Sequence, residues 1–180
     1  MAVTKWLVDP SHSEVQFKIK HLVISTITGS FKNFVGGATS DLDNFEGAEI
    51  HFSLDVSSID TNQSMRDAHL RSADFFDAEL FPHITFQSNF FHKVHDDQYK
   101  LNGYLTLKGI TKPIELDAEF GGSEVDEYGK HRAGFEVAGR FSRQEFGLNY
   151  LKLTESGRLV IGEDVKLLAN IQLIRVESES

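Results

Sequence analysis

The chain contains no cysteine, so it can build neither a disulfide framework nor a thiolate metal site. No stretch approaches the ~18 consecutive apolar residues that a spanning helix needs, and no integral membrane segment is expected. The opening MAVTKWLVDPSHS has no basic stretch followed by an apolar one. That points to a cytoplasmic protein, or to a periplasmic one had a leader been removed. Positive charge is scarce: 18 Lys and Arg stand against 27 Asp and Glu, for a net charge of −9 and a pI near 5.3. Such a balance argues against nucleic acid and anionic membrane surfaces as partners. Phosphate loops are missing too. GGATSD at 36–41 lacks the lysine and the strand-to-helix context, and Gly134, Gly139 and Gly147 do not form a dinucleotide fingerprint.

What the chain does have is phenylalanine: 15 Phe against 1 Trp, 4 Tyr and 2 Met among 180 residues. Phe carries no polar handle, so this bias favours a large, dry interior. The length suits one domain, and no internal repeat, low-complexity segment or linker divides residues 1–180. Period-two alternation dominates. Val15, Phe17, Ile19 and His21 share one face. So do Ile50, Phe52, Leu54 and Val56; Ile84, Phe86, Ser88 and Phe90; and Tyr99, Leu101, Gly103, Leu105 and Leu107. Further along come Ile114, Leu116, Ala118 and Phe120; Phe135, Val137, Gly139 and Phe141; and Val165, Leu167, Ala169, Ile171 and Leu173. With TGSFKNFVGGATSDL this makes about eight strands, with turns expected at Asp96-Asp97 and Gly121-Gly122. Clean alternation means antiparallel sheet with one wet and one dry face. Strands longer than the usual ~5–6 residues favour a tall up-and-down barrel over a sandwich. Eight strands give a barrel just wide enough to be plugged by side chains or to hold one small ligand. The inward Gly103 and Gly139 would leave space there or allow a bend.

One segment breaks the alternation. TNQSMRDAHLRSADFFDAELFP, residues 61–82, reads as a short helix and an aromatic loop, with Asp60/Gln63 or Ser64/Asp67 as its start. Asp67 and Arg71, four apart, are expected to pair on the helix surface. His69 and Asp67 have the residue types of an acid/base pair, yet no nucleophile has a motif context, and no catalytic residue is assigned. His92, His95, Asp96 and Asp97 have metal-ligand residue types, but residues three apart on a strand point to opposite faces. No metal and no cofactor is expected. His21, at the inward end of its strand, is either a core histidine or a polar group facing a ligand.

Longer motifs carry a resemblance. WLVDPSHSEVQF and HLVISTITGSF, at 6–31, are similar to W-x-x-D-x-x-H-S-x-x-x-F and H-L-x-I-S-T-x-x-G-x-F. Residues 58–82 match S-I-x-T-x-x-x-x-R-D-x-H-L-x-S-x-D-F-F-x-x-x-x-x-P, and LNGYLTLKGITKP matches L-x-G-x-L-T-x-x-G-x-T-x-P. FSRQEFGL and IGEDVKLLANIQL resemble the closing motifs of the same set. These are signatures of the YceI-like family. The resemblance implies a lipocalin-like barrel that binds a long amphiphilic lipid, a polyisoprenoid such as an isoprenoid quinone or a fatty acid or amide, and it suggests a homodimer.

Together these readings predict an all-β, eight-stranded antiparallel lipocalin-like barrel with a short helical insertion around residues 61–75. Its expected role is non-enzymatic lipid binding, storage or transport. Phe17, Ile19, Phe52, Leu54, Phe86, Leu105, Phe120, Phe135, Val137 and Phe141 would line the tube. His21, Arg66 and His69 would contact a headgroup, and Phe75 and Phe76 would supply apolar cover. The competing readings are a hydrolase or isomerase of hydrophobic substrates using His69 and Asp67, and an interaction protein whose cavity is filled by its own Phe side chains.

Overall fold

The alternating runs fold as antiparallel strands in the computed structural model, which describes residues 3–22, 24–41, 44–150, 152, 155 and 160–177. Among these the strands are β1 (Val3–Val8), β2 (Glu14–His21), β3 (Ser25–Phe31), β4 (Phe34–Asp41), β5 (Asn44–Asp55) and β6 (Ile59–Asp60). After the helix α1 (Ser64–Arg71) follow β7 (His83–His95), β8 (Gln98–Leu107), β9 (Ile110–Val125), β10 (His131–Ser142) and β11 (Ile161–Arg175). Eleven segments make eight barrel strands because β1 continues into β2 and β3 into β4, each across a short break. The two-residue β6 extends β5 and pairs back onto β3 through Phe31 and Ile59.

Closure depends on β11. Along one edge it pairs with β10 from Ser142↔Asp164 to Arg132↔Ile174. Along the other it pairs first with β2, as in Ile19↔Val165, and then with β1, as in Val8↔Leu173. The result is a closed eight-stranded antiparallel barrel, as the alternation predicted, and closure removes the exposed sheet edges that invite aggregation. The β8–β9 connection has two residues, Lys108 and Gly109, with φ of 52° and 76°. That left-handed pair is the type I′ turn whose twist matches its flanking strands.

Two β-bulges correct the simple alternation. Ser88 faces Gly103 while Phe90 faces Asn102, which leaves Asn89 as an extra residue in β7. An inserted residue reverses which face the later side chains take. Phe90, expected inside, is therefore 42% exposed, and Phe91 is 2% exposed in the core. Likewise Gly121-Gly122 is not a turn. Gly134 pairs with Gly122 and Phe135 with Phe120, so Gly121 is a bulge within β9, and the chain reverses later, around Asp126–Lys130.

Gly103 and Gly139 leave no open space either. A Cβ on Gly103 would lie 2.7 Å from the Phe86 ring tip, and one on Gly139 would collide with the Leu116 side chain. Each glycine lets a neighbour's side chain lie flat across the wall.

One end of the barrel is sealed by rings. Trp6 and Phe45 centroids are 5.0 Å apart, Phe45 and Phe135 5.0 Å, Phe120 and Phe135 5.2 Å, and Phe91 and Tyr99 4.7 Å. Outside this plug the Arg132 guanidinium bonds Asp9 at 2.8 Å, Asp126 at 2.7 Å and the Gln172 side chain at 2.7 Å. It thereby ties the β1–β2 junction, the β9–β10 turn and β11 together. Asp9 also accepts from Ser11 and meets His12 at 2.7 Å. The Arg132 guanidinium, above all, holds the Asp9 carboxyl well below the usual carboxylate range. A carboxylate depressed in the folded state stabilises it above its unfolded value of ~4 and loses that contribution as pH falls through the folded value. We expect Asp9→Asn to lower the urea midpoint most near neutral pH, with the gap to wild type closing as pH drops below about 4. A gap that stays constant down to strongly acid pH would refute this role for the carboxylate.

Candidate functional site

Beside the aromatic plug the barrel is hollow. A cavity of about 730 Å³ is lined both by plug residues and by residues of α1 and of the chain following β10. This is within the ~300–1,000 Å³ typical of ligand sites, so the Phe side chains do not fill the interior. Its wall is the inner face of the sheet. Phe17, Ile19, Phe52, Leu54, Phe86, Leu105, Val137 and Phe141 line it as expected, and Phe135 lines it at the plug together with Phe45 and Phe91. Phe120 does not. It packs behind, against Phe45 and Phe135, as part of the seal.

His21, Arg66, His69, Phe75 and Phe76 all border the cavity, so the 61–82 segment does sit over it. Phe76 meets Phe31 edge-on at 6.1 Å. Phe75 is buried against His69, at 5.0 Å, and Tyr150, at 4.8 Å.

The charges of this segment are arranged differently from the expectation. No Asp67–Arg71 ion pair forms among the described residues. Asp67 turns inward, 8% exposed, where it accepts from the Thr61 amide at 2.8 Å and the Thr61 hydroxyl at 2.5 Å. Arg66 donates to the same hydroxyl at 2.7 Å and to the Thr61 carbonyl at 2.6 Å. A carboxylate that satisfies a buried amide is worth more here than an exposed i,i+4 pair, which contributes only tenths of a kcal/mol. The helix start also differs: its N-cap is Gln63, with no side-chain cap bond, and Asp60 instead accepts from the Asn62 amide at 2.8 Å. His69 bonds Asp74 at 2.8 Å rather than Asp67. The His69/Asp67 acid/base pair is therefore not assembled. On the outer wall His92 bonds Glu46 at 2.6 Å.

Sequence reasoning missed Arg143. It follows β10, is 2% exposed and borders the cavity. Its guanidinium donates to the carbonyls of Gly162 at 2.8 Å, Tyr150 at 3.0 Å, Ile161 at 3.4 Å and Leu148. Burial pushes its pKa down, against a weaker opposing pull from Glu163. Its partners are backbone atoms from two separate stretches, and no local pattern in FSRQEFGL announces them. Tyr150 and Lys152 were missed as well. They also border the cavity, and the Tyr150 ring meets His69 edge-on at 5.1 Å.

The described residues thus form a closed eight-stranded barrel around a largely apolar chamber. The YceI-like domain family model matches residues 6–173, and the chain belongs to that family. A UPF0312 protein of Pectobacterium atrosepticum is 37% identical over 164 residues, covering 91% of this chain and 82% of the relative. The crystal structure of Campylobacter jejuni YceI matches with a TM-score of 0.74 and 31% identity, covering 90% of this chain and 91% of that one. A polyisoprenoid binding domain from Saccharophagus degradans has the same fold, with a TM-score of 0.70 and 15% identity over 95% of this chain and 98% of that one.

The Thr61–Asp67 bonds supply a test of the lid's architecture. Asp67→Ala strands a buried amide and should cost about 1–3 kcal/mol of unfolding free energy, whereas Asp67→Asn, which keeps an acceptor, should cost less. Denaturant unfolding of both variants measures this, and equal losses would contradict it.

Proposed function

We propose that the protein binds, stores or transports a long-chain amphiphilic lipid without altering it: a polyisoprenoid such as an isoprenoid quinone, or a fatty acid or amide. The observation that carries this reading is the unfilled apolar chamber, walled by Phe17, Phe52, Phe86, Leu105 and Phe141 and bordered by a few polar groups such as Arg66, His69 and Arg143. The energetics permit it. Each buried CH₂ contributes ~0.8 kcal/mol, so a chain of ~20 carbons gains roughly 16 kcal/mol gross, enough to offset an association cost of ~4–15 kcal/mol. The likeness to the Saccharophagus degradans polyisoprenoid binding domain supports the same reading. The homodimer suggested by the family is carried with it.

Organic extraction and mass spectrometry of natively purified protein test the proposal. Bound lipid, or stoichiometric uptake of added isoprenoid quinone or fatty acid, is expected; neither would sink it. Phe52→Asp places a charge in the chamber beside Phe34, whose ring stacks on Phe52 at 5.6 Å. It should abolish uptake in a protein whose circular dichroism is unchanged, while Lys18→Asp, on the outer face, should bind as wild type does.

A further inference from the structure

The charges around the chamber are segregated. The chain carries 27 acidic residues and a net charge of −9, yet among the described residues no Asp or Glu borders the cavity. Its permanently charged neighbours are Arg66, Arg143 and Lys152, joined by the titratable His21, His51 and His69. Two of these three cations differ in how they are held. Arg66 is committed to Thr61. Arg143 is buried, and among the described residues it bonds only backbone carbonyls and enters no ion pair. Four neutral carbonyls satisfy N–H groups without pairing the positive charge, which is tempered only by the weaker coulombic pull of Glu163. In a low-dielectric wall such a charge acts over several ångströms with little screening. Nη2 has two N–H bonds and, among the described residues, makes one hydrogen bond, a long one of 3.4 Å.

From this we infer that Arg143 is the specificity-determining residue of the chamber, selecting single-chain lipids whose headgroup is an anion, a carboxylate or a phosphate monoester. Lys152 is the accessory cation and the tail extends toward the plug. The inference deepens the lipid-carrier reading and rests on it. An anion placed at Arg143 gains a charge-assisted hydrogen bond and neutralises a buried charge. A cationic headgroup at the same place would repel it, and an ester would gain only a weak acceptor contact.

The test uses full-length protein and four lipids with one common chain: oleate, oleyl phosphate, methyl oleate and oleylamine, each competing with a bound neutral fluorescent lipid at neutral pH. Oleate and oleyl phosphate should bind at least about tenfold more tightly than methyl oleate, with oleylamine weakest and the preference shrinking in high salt. Arg143→Met should collapse the acid-to-ester affinity ratio toward one, Arg143→Lys should retain most of it, and Lys152→Ala should reduce it less than Arg143→Met does. If Arg143→Met does not fold, the wild-type series and Arg143→Lys still decide. Equal binding of acid, ester and amine overturns the inference while leaving the lipid reading intact. Binding of none of the four removes the lipid reading itself. An acid preference that survives Arg143→Met but disappears in Lys152→Ala overturns the role of Arg143. Inorganic phosphate alone should not displace the probe; if it does, the site takes a free anion and the headgroup assignment is wrong.

Discussion

Everything in this protein depends on β11 closing the sheet. Until it pairs with β1 and β2 on one side and β10 on the other, the inner faces of the strands are an open apolar surface. Once closed, they enclose a space whose width is set by strand number. The space must then be filled by the chain's own side chains or left for a guest. Here the chain does both, at different ends. Trp6, Phe45, Phe91, Tyr99, Phe120 and Phe135 converge and seal one end. Toward the other end equally large rings lie against the wall instead. Phe86 crosses Gly103, and Leu116 crosses Gly139. The glycines make room indirectly, since a Cβ at either position would push its neighbour into the lumen.

The two ends also treat arginine in opposite ways. At the sealed end Arg132 meets two carboxylates and an amide oxygen, so its charge is neutralised and serves as a clamp on three chain segments. At the other end Arg143, among the described residues, bonds carbonyls alone, with Glu163 exerting only a weaker coulombic pull. The first arrangement stabilises an end that has no reason to open. The second holds the chain after β10 in place while leaving a net charge beside the chamber, which a purely structural clamp would not require. Partnering a buried charge is ordinarily the cheaper solution, and the chain adopts it where only structure is at issue.

Much of this was legible in the sequence, for a definable reason. Burial of one sheet face imposes period two, so Val15, Phe17 and Ile19 or Val165, Leu167 and Ala169 could be assigned to the interior without knowing their partners. The helix in 61–82 was visible because its pattern departs from that period. The misassignments fall where one residue resets the count or where a bond spans distant segments. Phe90 and Phe91 are chemically identical neighbours, so nothing in their types shows that Asn89 bulges and sends the second one inward. Gly121-Gly122 has turn composition yet forms a bulge, because the reversal is built further on by Asp126 accepting the Tyr128 and Lys130 amides. Arg143 was illegible because its acceptors among the described residues are main-chain atoms, which leave no mark on sequence. Asp67 was misread because an exposed i,i+4 pair is a local rule, whereas its actual partner is Thr61, just past the strand that precedes the helix.

That partner changes the meaning of the charged segment. Asp67 is spent on Thr61, and His69 lies beside Asp74, Phe75 and Tyr150. Acid and histidine two residues apart in sequence are thus divided between two structural tasks: one pins the helix to Thr61, just after β6, and the other joins the lid to the chain after β10. Arg66 shares the first task, its guanidinium held at Thr61 while it still borders the chamber. A side chain fixed in this way cannot swing to follow a guest, so it contributes a fixed positive potential to the mouth. With Arg143 fixed by carbonyls of the chain after β10 and of β11, two of the cations that border the chamber have positions set before any ligand arrives. Preorganisation of that kind lowers the ordering cost of binding, and it favours one sign of headgroup in a protein whose total charge has that same sign.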